Sequence, residues 1–147
     1  MWPKARYFAT RSDGYVISYQ CMGRAKIMIV EDERLVALEL RLALEELGYV
    51  VTGIADTGEG AVLAAGASMP DLIIMDIKLK PGPMDGIEAA KRIRELYNIG
   101  YIYVTGNADE STYQRAMRSS PLGYFNKPLN EDTLDQAIQT AITKGKN

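Results

Sequence analysis

The run Leu72-Ile73-Ile74-Met75-Asp76 governs how the neighbouring segments must be arranged. Four large apolar residues lead straight into a carboxylate, and Lys78, Pro81 and Gly82 follow. A short apolar run with β-branched members, bounded by turn residues, predicts a strand buried on both faces. An aspartate ending such a strand is held rigidly at the rim of a sheet. Alone, it would read first as a helix cap or a solvated loop acid, so its meaning depends on the ends of the other strands.

The same pattern recurs on both sides of this run. Lys26–Val30 predicts a buried strand ending at Glu31-Asp32-Glu33, and Tyr49–Ala55 a second. Tyr101–Val104, closed by Thr105-Gly106, predicts a fourth strand, and Gly123–Phe125, running to Lys127-Pro128, a fifth. Helical periodicity fills the intervals. Arg34–Leu47 carries Val36, Leu40, Ala43, Leu44 and Leu47 at three- and four-residue spacing and is stopped by Gly48. Asp56-Thr57 caps a weaker helix to about Ala67, diluted by Gly60 and Gly66. A third helix runs from Asp85-Gly86 to Tyr97, with Ile87, Ala90, Ile93 and Leu96 facing inward and a Glu88–Arg92 pair outside. Asn107 with Glu110 resembles a capping box for a short helix over Ala108–Met117. Asn130 caps the last helix, which turns Leu134, Ile138, Ala141 and Ile142 inward and ends near Lys144. Five such strands alternating with five helices predict an α/β fold: a doubly wound, five-stranded parallel sheet with helices on both faces.

Composition limits the function. With 147 residues, 47% of them apolar and 24% charged, the chain is long enough for one domain with a substantial core. No apolar run approaches the ~20 residues that span a bilayer, and Met1–Tyr7 lacks the apolar segment of a secretory signal. A cytoplasmic location is therefore expected, with no membrane association. Cys21 is the only cysteine and histidine is absent, which excludes internal disulfides, cysteine or histidine metal sites and a phosphohistidine on this chain. Residues 1–24 hold Lys4, Arg6, Arg11 and Arg24 against Asp13, leaving 13 of the 17 basic and 18 of the 19 acidic residues for the remainder. An acidic body offers no footprint for direct nucleic-acid binding. Residues 1–24 show no helical period. They read as a poorly ordered extension, or as a mis-assigned start ahead of Met22, with one short strand permitted where Tyr15, Ile17 and Tyr19 alternate. The domain itself is expected over residues 25–144, with 145–147 as a tail.

In open parallel sheets, ligands bind beyond the carboxyl ends of the strands. Collected there are Glu31 and Asp32, Asp76, Thr105 and Lys127. Three neighbouring carboxylates repel unless a cation intervenes. Oxygen-only ligands point to a hard divalent ion, Mg2+, which commonly bridges to a phosphoryl oxygen. Thr105 can donate to that oxygen and Lys127 can balance its charge, so the set suits a phosphoryl group with Asp76 as its covalent acceptor. Separately, each residue has a plainer reading: Glu31 and Asp32 favouring a helix N-terminus, Thr105 a strand-end residue with no partner, Lys127 a solvated lysine, Tyr124 packed in the core. Their joint occurrence in this order favours the chemistry.

Over residues 26–144 the chain resembles the receiver domain of two-component response regulators. The matching motifs are Ile27-Met28-Ile29-Val30-Glu31-Asp32-Glu33, Leu72–Asp76, Met84-Asp85-Gly86, Tyr103-Val104-Thr105-Gly106 and Gly123-Tyr124-Phe125-Asn126-Lys127-Pro128. The resemblance implies a flavodoxin-like strand order, 2-1-3-4-5, and phosphorylation of Asp76 from a phosphohistidine on a sensor histidine kinase. It implies Mg2+ held by Glu31, Asp32, Asp76 and the backbone carbonyl of Lys78, with Thr105 and Lys127 as the conserved hydroxyl and lysine. It makes Thr105 and Tyr124 the switch pair, acting on the surface of the fourth helix, fifth strand and fifth helix. That face would control an unidentified downstream protein and is where a homodimer would form. Lys78 and Asn107 occupy positions that tune phosphoryl lifetime in this family, and Lys78 is expected to pair with Glu31 or with the phosphoryl group.

Two rival functions are weaker. An aspartate-nucleophile phosphatase typically has a second aspartate two residues past the nucleophile, where Lys78 stands here. A pseudo-receiver that is never phosphorylated would not need all five rim residues. The chain is thus expected to be no enzyme towards other substrates, catalysing only its own Mg2+-dependent phosphorylation and dephosphorylation. No output module is visible, so it reads as a stand-alone receiver or as the receiver part of a longer protein.

Overall fold

A computed structural model describes residues 24–145, together with two short strands, Ala5–Phe8 (β1) and Ser18–Cys21 (β2), that pair antiparallel. The expectations for Tyr15, Ile17, Met22 and the final two residues fall outside the described residues. Where one short strand was permitted in residues 1–24, two are described, at 5–8 and 18–21, and Arg24 is tied to the domain. Its guanidinium donates to the Leu47 carbonyl (3.1 Å) and the Asp135 carboxylate (2.9 Å), and lies 4.5 Å over the Tyr49 ring.

The central sheet consists of β3 (Lys26–Val30), β4 (Val50–Ala55), β5 (Leu72–Met75), β6 (Gly100–Thr105) and β7 (Gly123–Asn126). All neighbours are parallel, in the order β4-β3-β5-β6-β7, which is the expected 2-1-3-4-5. Alternate side chains feed two cores. Met28, Val30, Ile73, Met75, Tyr101 and Tyr103 pack against α2 (Gly58–Ser68), α3 (Gly86–Tyr97) and α4 (Glu110–Arg118). Ile27, Ile29, Leu72, Ile74, Ile102 and Val104 pack against α1 (Arg34–Glu46) and α5 (Glu131–Gly145). Leu72–Met75 is fully buried, as its unbroken apolar run requires.

Most helix ends follow the local signals. Thr57 caps α2, Asp85 caps α3 and Asn130 accepts from the Thr133 N–H at 2.8 Å. Gly48, just past α1, takes the left-handed φ of +91° that favours glycine. Three expectations fail. The fourth helix begins at Glu110, not Ala108, because the Asp109 carboxylate, rather than Asn107, accepts from the Thr112 N–H (2.7 Å) and the Ser111 hydroxyl (3.1 Å). Leu96 points to solvent. Tyr97 takes the inward position at the end of α3 and lays its phenol against Gly66 of α2. The Glu88–Arg92 ion pair does not form among the described residues.

No helix among the described residues is long and apolar enough to cross a membrane.

Candidate functional site

The ladder extends past the strand ends and sets the site's geometry. The Glu31 N–H donates to the Ala55 carbonyl, Asp76 N–H to Val30 and Lys127 N–H to Thr105, all at 2.8–2.9 Å. Register therefore brings Glu31, Asp76, Thr105 and Lys127 to one rim, each on a different strand of the parallel sheet. The turn after Asp76 is tight. A side chain at position 86 would collide with the Asp76 carbonyl oxygen, so only glycine allows α3 to start there. The Gly86 N–H donates to the Ile77 carbonyl.

At that rim the carboxylates are mostly removed from water: Glu31 is 4% and Asp76 6% exposed, and Thr105 is fully buried. The Thr105 hydroxyl donates to Asp76 Oδ1 at 2.8 Å. The Lys127 ammonium bridges Glu31 Oε2 (2.6 Å) and Asp76 Oδ2 (2.9 Å). Carboxylate oxygens of Glu31, Asp32 and Asp76 lie within 4.8 Å of one another. One ammonium thus pairs with two of three clustered carboxylates. Burial raises the Glu31 carboxyl above its ordinary range, Lys127 works against that, and the Asp76 charge adds to it. For Lys127, burial alone would lower the ammonium, but hydrogen bonds to Glu31 and Asp76 outweigh it and hold the lysine above its usual value. The donor set is all oxygen, partly desolvated and short of positive charge, which suits a hard divalent cation.

The remaining candidates surround this cluster. Lys78 does not pair with Glu31. Its N–H donates to Asp76 Oδ1 at 3.3 Å, while its ammonium crosses the mouth of the site to the Asn107 carbonyl at 3.2 Å. Asn107 is exposed. In the loop between Asp76 and Gly86, Lys80 pairs with Asp56 (3.1 Å) and so sits on the α2 side. Tyr124 is cross-strand from Tyr103, its ring 6.2 Å away, and stands edge-on to Tyr113 of α4 at 4.9 Å. Burial, then the neighbouring Tyr113, raises its phenol above the usual value. On the opposite flank a cavity of about 290 Å3 opens beside Glu31, Asp76 and Lys127, walled by Val36, Leu40, Val104 and Leu134.

Sequence reading missed a second polar cluster behind the site. Tyr101 and Tyr103, on the same face of β6 as Thr105, are fully buried. The Tyr101 hydroxyl donates to the Ser119 carbonyl (2.5 Å), and Tyr103 shares a 2.6 Å hydrogen bond with Ser119 Oγ. Two tyrosines in a buried strand signal that their hydroxyls need partners, but nothing local identifies Ser119. It also missed the ion pair between Arg115 of α4 and Asp85.

The profile of the response regulator receiver domain matches residues 27–139. Among curated proteins, the transcriptional regulatory protein PdtaR of Mycobacterium tuberculosis is 33% identical over 119 residues, 81% of this chain and 57% of the relative. The KDP operon transcriptional regulatory protein KdpE of Escherichia coli is 32% identical over 118 residues, 80% of this chain and 51% of the relative. The chain thus spans about half the length of the curated relatives it matches. Among solved structures, the signal receiver domain of a modulated diguanylate cyclase from Desulfovibrio desulfuricans G20 is 45% identical with a TM-score of 0.79, covering 83% of this chain and 96% of that one. The N-terminal domain of a response regulator/sensory box/GGDEF 3-domain protein from Carboxydothermus hydrogenoformans is 33% identical with a TM-score of 0.74, covering 82% and 96%.

Proposed function

The chain belongs to the response regulator receiver family, and on that premise we propose that Asp76 accepts a phosphoryl group from a sensor histidine kinase. The observation that carries this reading is the convergence of Asp76 with Thr105, Lys127, Glu31 and Asp32 at one buried rim. A carboxylate oxygen of Asp76 forms a bond to phosphorus as the phosphorus–nitrogen bond of the phosphohistidine breaks, and the imidazole leaves with a proton from solvent. Thr105 and Lys127 already contact the two Asp76 oxygens, so each needs only a small displacement to reach a phosphoryl oxygen. Glu31, Asp32, Asp76 and the Lys78 carbonyl would hold Mg2+. When bound, the ion neutralises the carboxylates and the charge spread over the phosphoryl oxygens.

The chain's own catalysis is limited to gaining and losing this group, and Lys78 and Asn107 set how long the group persists. Once Thr105 turns toward the phosphoryl group, Tyr124 moves inward and the face of α4, β7 and α5 changes shape. That face controls a downstream protein or a second copy in the cytoplasm, without direct nucleic-acid contact.

The test is incubation with acetyl phosphate and Mg2+ followed by intact-mass measurement. The wild-type protein should gain one phosphoryl mass, and neither Asp76→Asn nor the wild type in chelator should. An equal gain in Asp76→Asn would reject the assignment.

A further inference from the structure

Helix α4 is held differently along its length. Past its C-terminus, Ser119 is buried and locked: its hydroxyl donates to the Ala116 carbonyl at 2.6 Å and meets the Tyr103 hydroxyl, and its carbonyl accepts from Tyr101. Arg94 of α3 donates to the Ser120 carbonyl (2.7 Å) and lies 4.6 Å over the Tyr101 ring. These partners come from the middle of the sheet and from α3, so this end is fixed. The rest of the helix is tied more lightly. Its cap, Asp109, is exposed, and the Tyr113 ring is partly exposed against Tyr124. Arg115 forms an ion pair across the cleft, to Asp85.

Asp85 is not an arbitrary surface acid. Its Oδ1 caps α3 by accepting the Glu88 N–H at 2.9 Å, while Oδ2 takes Arg115. The next residue, Gly86, packs directly on the Asp76 carbonyl. Arg115 therefore joins α4 to the turn that buttresses the acceptor. The Lys78–Asn107 hydrogen bond spans the same cleft nearer its mouth.

We propose that the Arg115–Asp85 ion pair is a latch that holds α4 in its unphosphorylated position and opposes phosphorylation of Asp76. The proposal rests on the phosphoryl-acceptor reading. A contact made in one state and broken in the other biases the equilibrium by its own free energy, and by no more. With the C-terminal end of α4 fixed by Ser119, a shift of the helix changes the distance from Arg115 to the α3 turn and breaks the pair. Both side chains are more than a third exposed (39% and 36%), so the latch is weak, and its removal should change an affinity by about two- to fivefold.

The test uses the full chain and beryllofluoride, a phosphoryl mimic, titrated in Mg2+ by calorimetry. Arg115→Gln and Asp85→Asn are compared with the wild type and with Arg118→Gln, on the exposed side of α4. Asp85→Asn keeps a cap acceptor for the Glu88 N–H while losing the charge that Arg115 needs. Both latch variants should bind the mimic about two- to fivefold more tightly, and the double variant no more tightly than either single one. Without the mimic, amide exchange over Thr112–Arg115 should quicken in both variants, while Tyr101 and Tyr103 stay protected. If the wild type binds the mimic but the latch variants bind it equally or more weakly, or if exchange is unchanged, the latch is overturned and the acceptor reading stands. A wild-type protein that binds no beryllofluoride in Mg2+ would overturn the acceptor reading and the latch with it.

Discussion

Two buried polar clusters lie on adjoining parts of the same sheet, and they are built to opposite ends. Around Tyr101, Tyr103 and Ser119 every group is neutral, apart from Arg94 at the edge, and each hydroxyl has a partner. Around Asp76, three carboxylates cluster and Lys127 pairs with two of them, Glu31 and Asp76. The first arrangement is complete as it stands and makes a rigid anchor. The second is short of positive charge, which is the basis for proposing that it takes up a cation. A polar cluster that is stable alone supports the fold; one that is unbalanced alone is a site for something that comes and goes.

The largest expected effect separates the two directly. Tyr101→Ala removes a fully buried aromatic ring and should cost about 3–5 kcal/mol in urea unfolding. Asp76→Asn, equally central to the sheet, should cost nothing or add up to ~1 kcal/mol in metal-free buffer, because it relieves carboxylate repulsion. A large loss in Asp76→Asn would mean that the rim is a structural ion network like any other.

Mg2+ should act on one cluster alone. At a hundredfold excess over its Kd the ion should stabilise the wild-type domain by about 2–3 kcal/mol. That gain should disappear in Asp32→Asn and persist in Tyr103→Phe. The latter removes one hydrogen bond to Ser119 and should lower stability by about 1 kcal/mol with or without the ion.

A smaller effect follows from pH. Burial holds the Glu31 carboxyl above its ordinary 4.5. A raised folded-state value means that its contribution to stability is fully present below the ordinary value and is lost as pH rises through the raised one. Acidification through that window should therefore relax the metal-free rim while weakening Mg2+ binding, which needs the carboxylate. Urea midpoints with and without the ion should converge on acidification. A gap that widens instead would place Glu31 outside the metal site.

The two clusters also differ in how far they could be read from the chain. The rim around Asp76 was legible because three of its residues directly end apolar runs, Glu31 after Ile27–Val30, Asp76 after Leu72–Met75 and Thr105 after Tyr101–Val104, while Asp32 and Lys127 each follow such a run after one intervening residue. Parallel register then leaves them no freedom to separate. The neutral cluster was half legible, since Tyr101 and Tyr103 share a face with Thr105 by strand alternation, but their partner lies in a turn that no periodicity locates. The Arg115–Asp85 pair joins a helix middle to a distant cap and leaves no local trace. The start of α4 was misread because two cap-forming residues compete. Asn107 offers the better motif with Glu110, yet Asp109 makes the two side-chain bonds and Lys78 engages the Asn107 carbonyl. Leu96 was misplaced because Tyr97, one position on, fills the space over Gly66.

On the proposed function, Asp76 and no other carboxylate of the rim carries the phosphoryl group. Borohydride reduces an acyl phosphate to an alcohol and marks the residue permanently. After acetyl phosphate and Mg2+ treatment, reduction and peptide sequencing should find the mark at position 76 alone. A mark at Glu31 or Asp32, or none in protein shown to be folded, would rule out Asp76 as the acceptor.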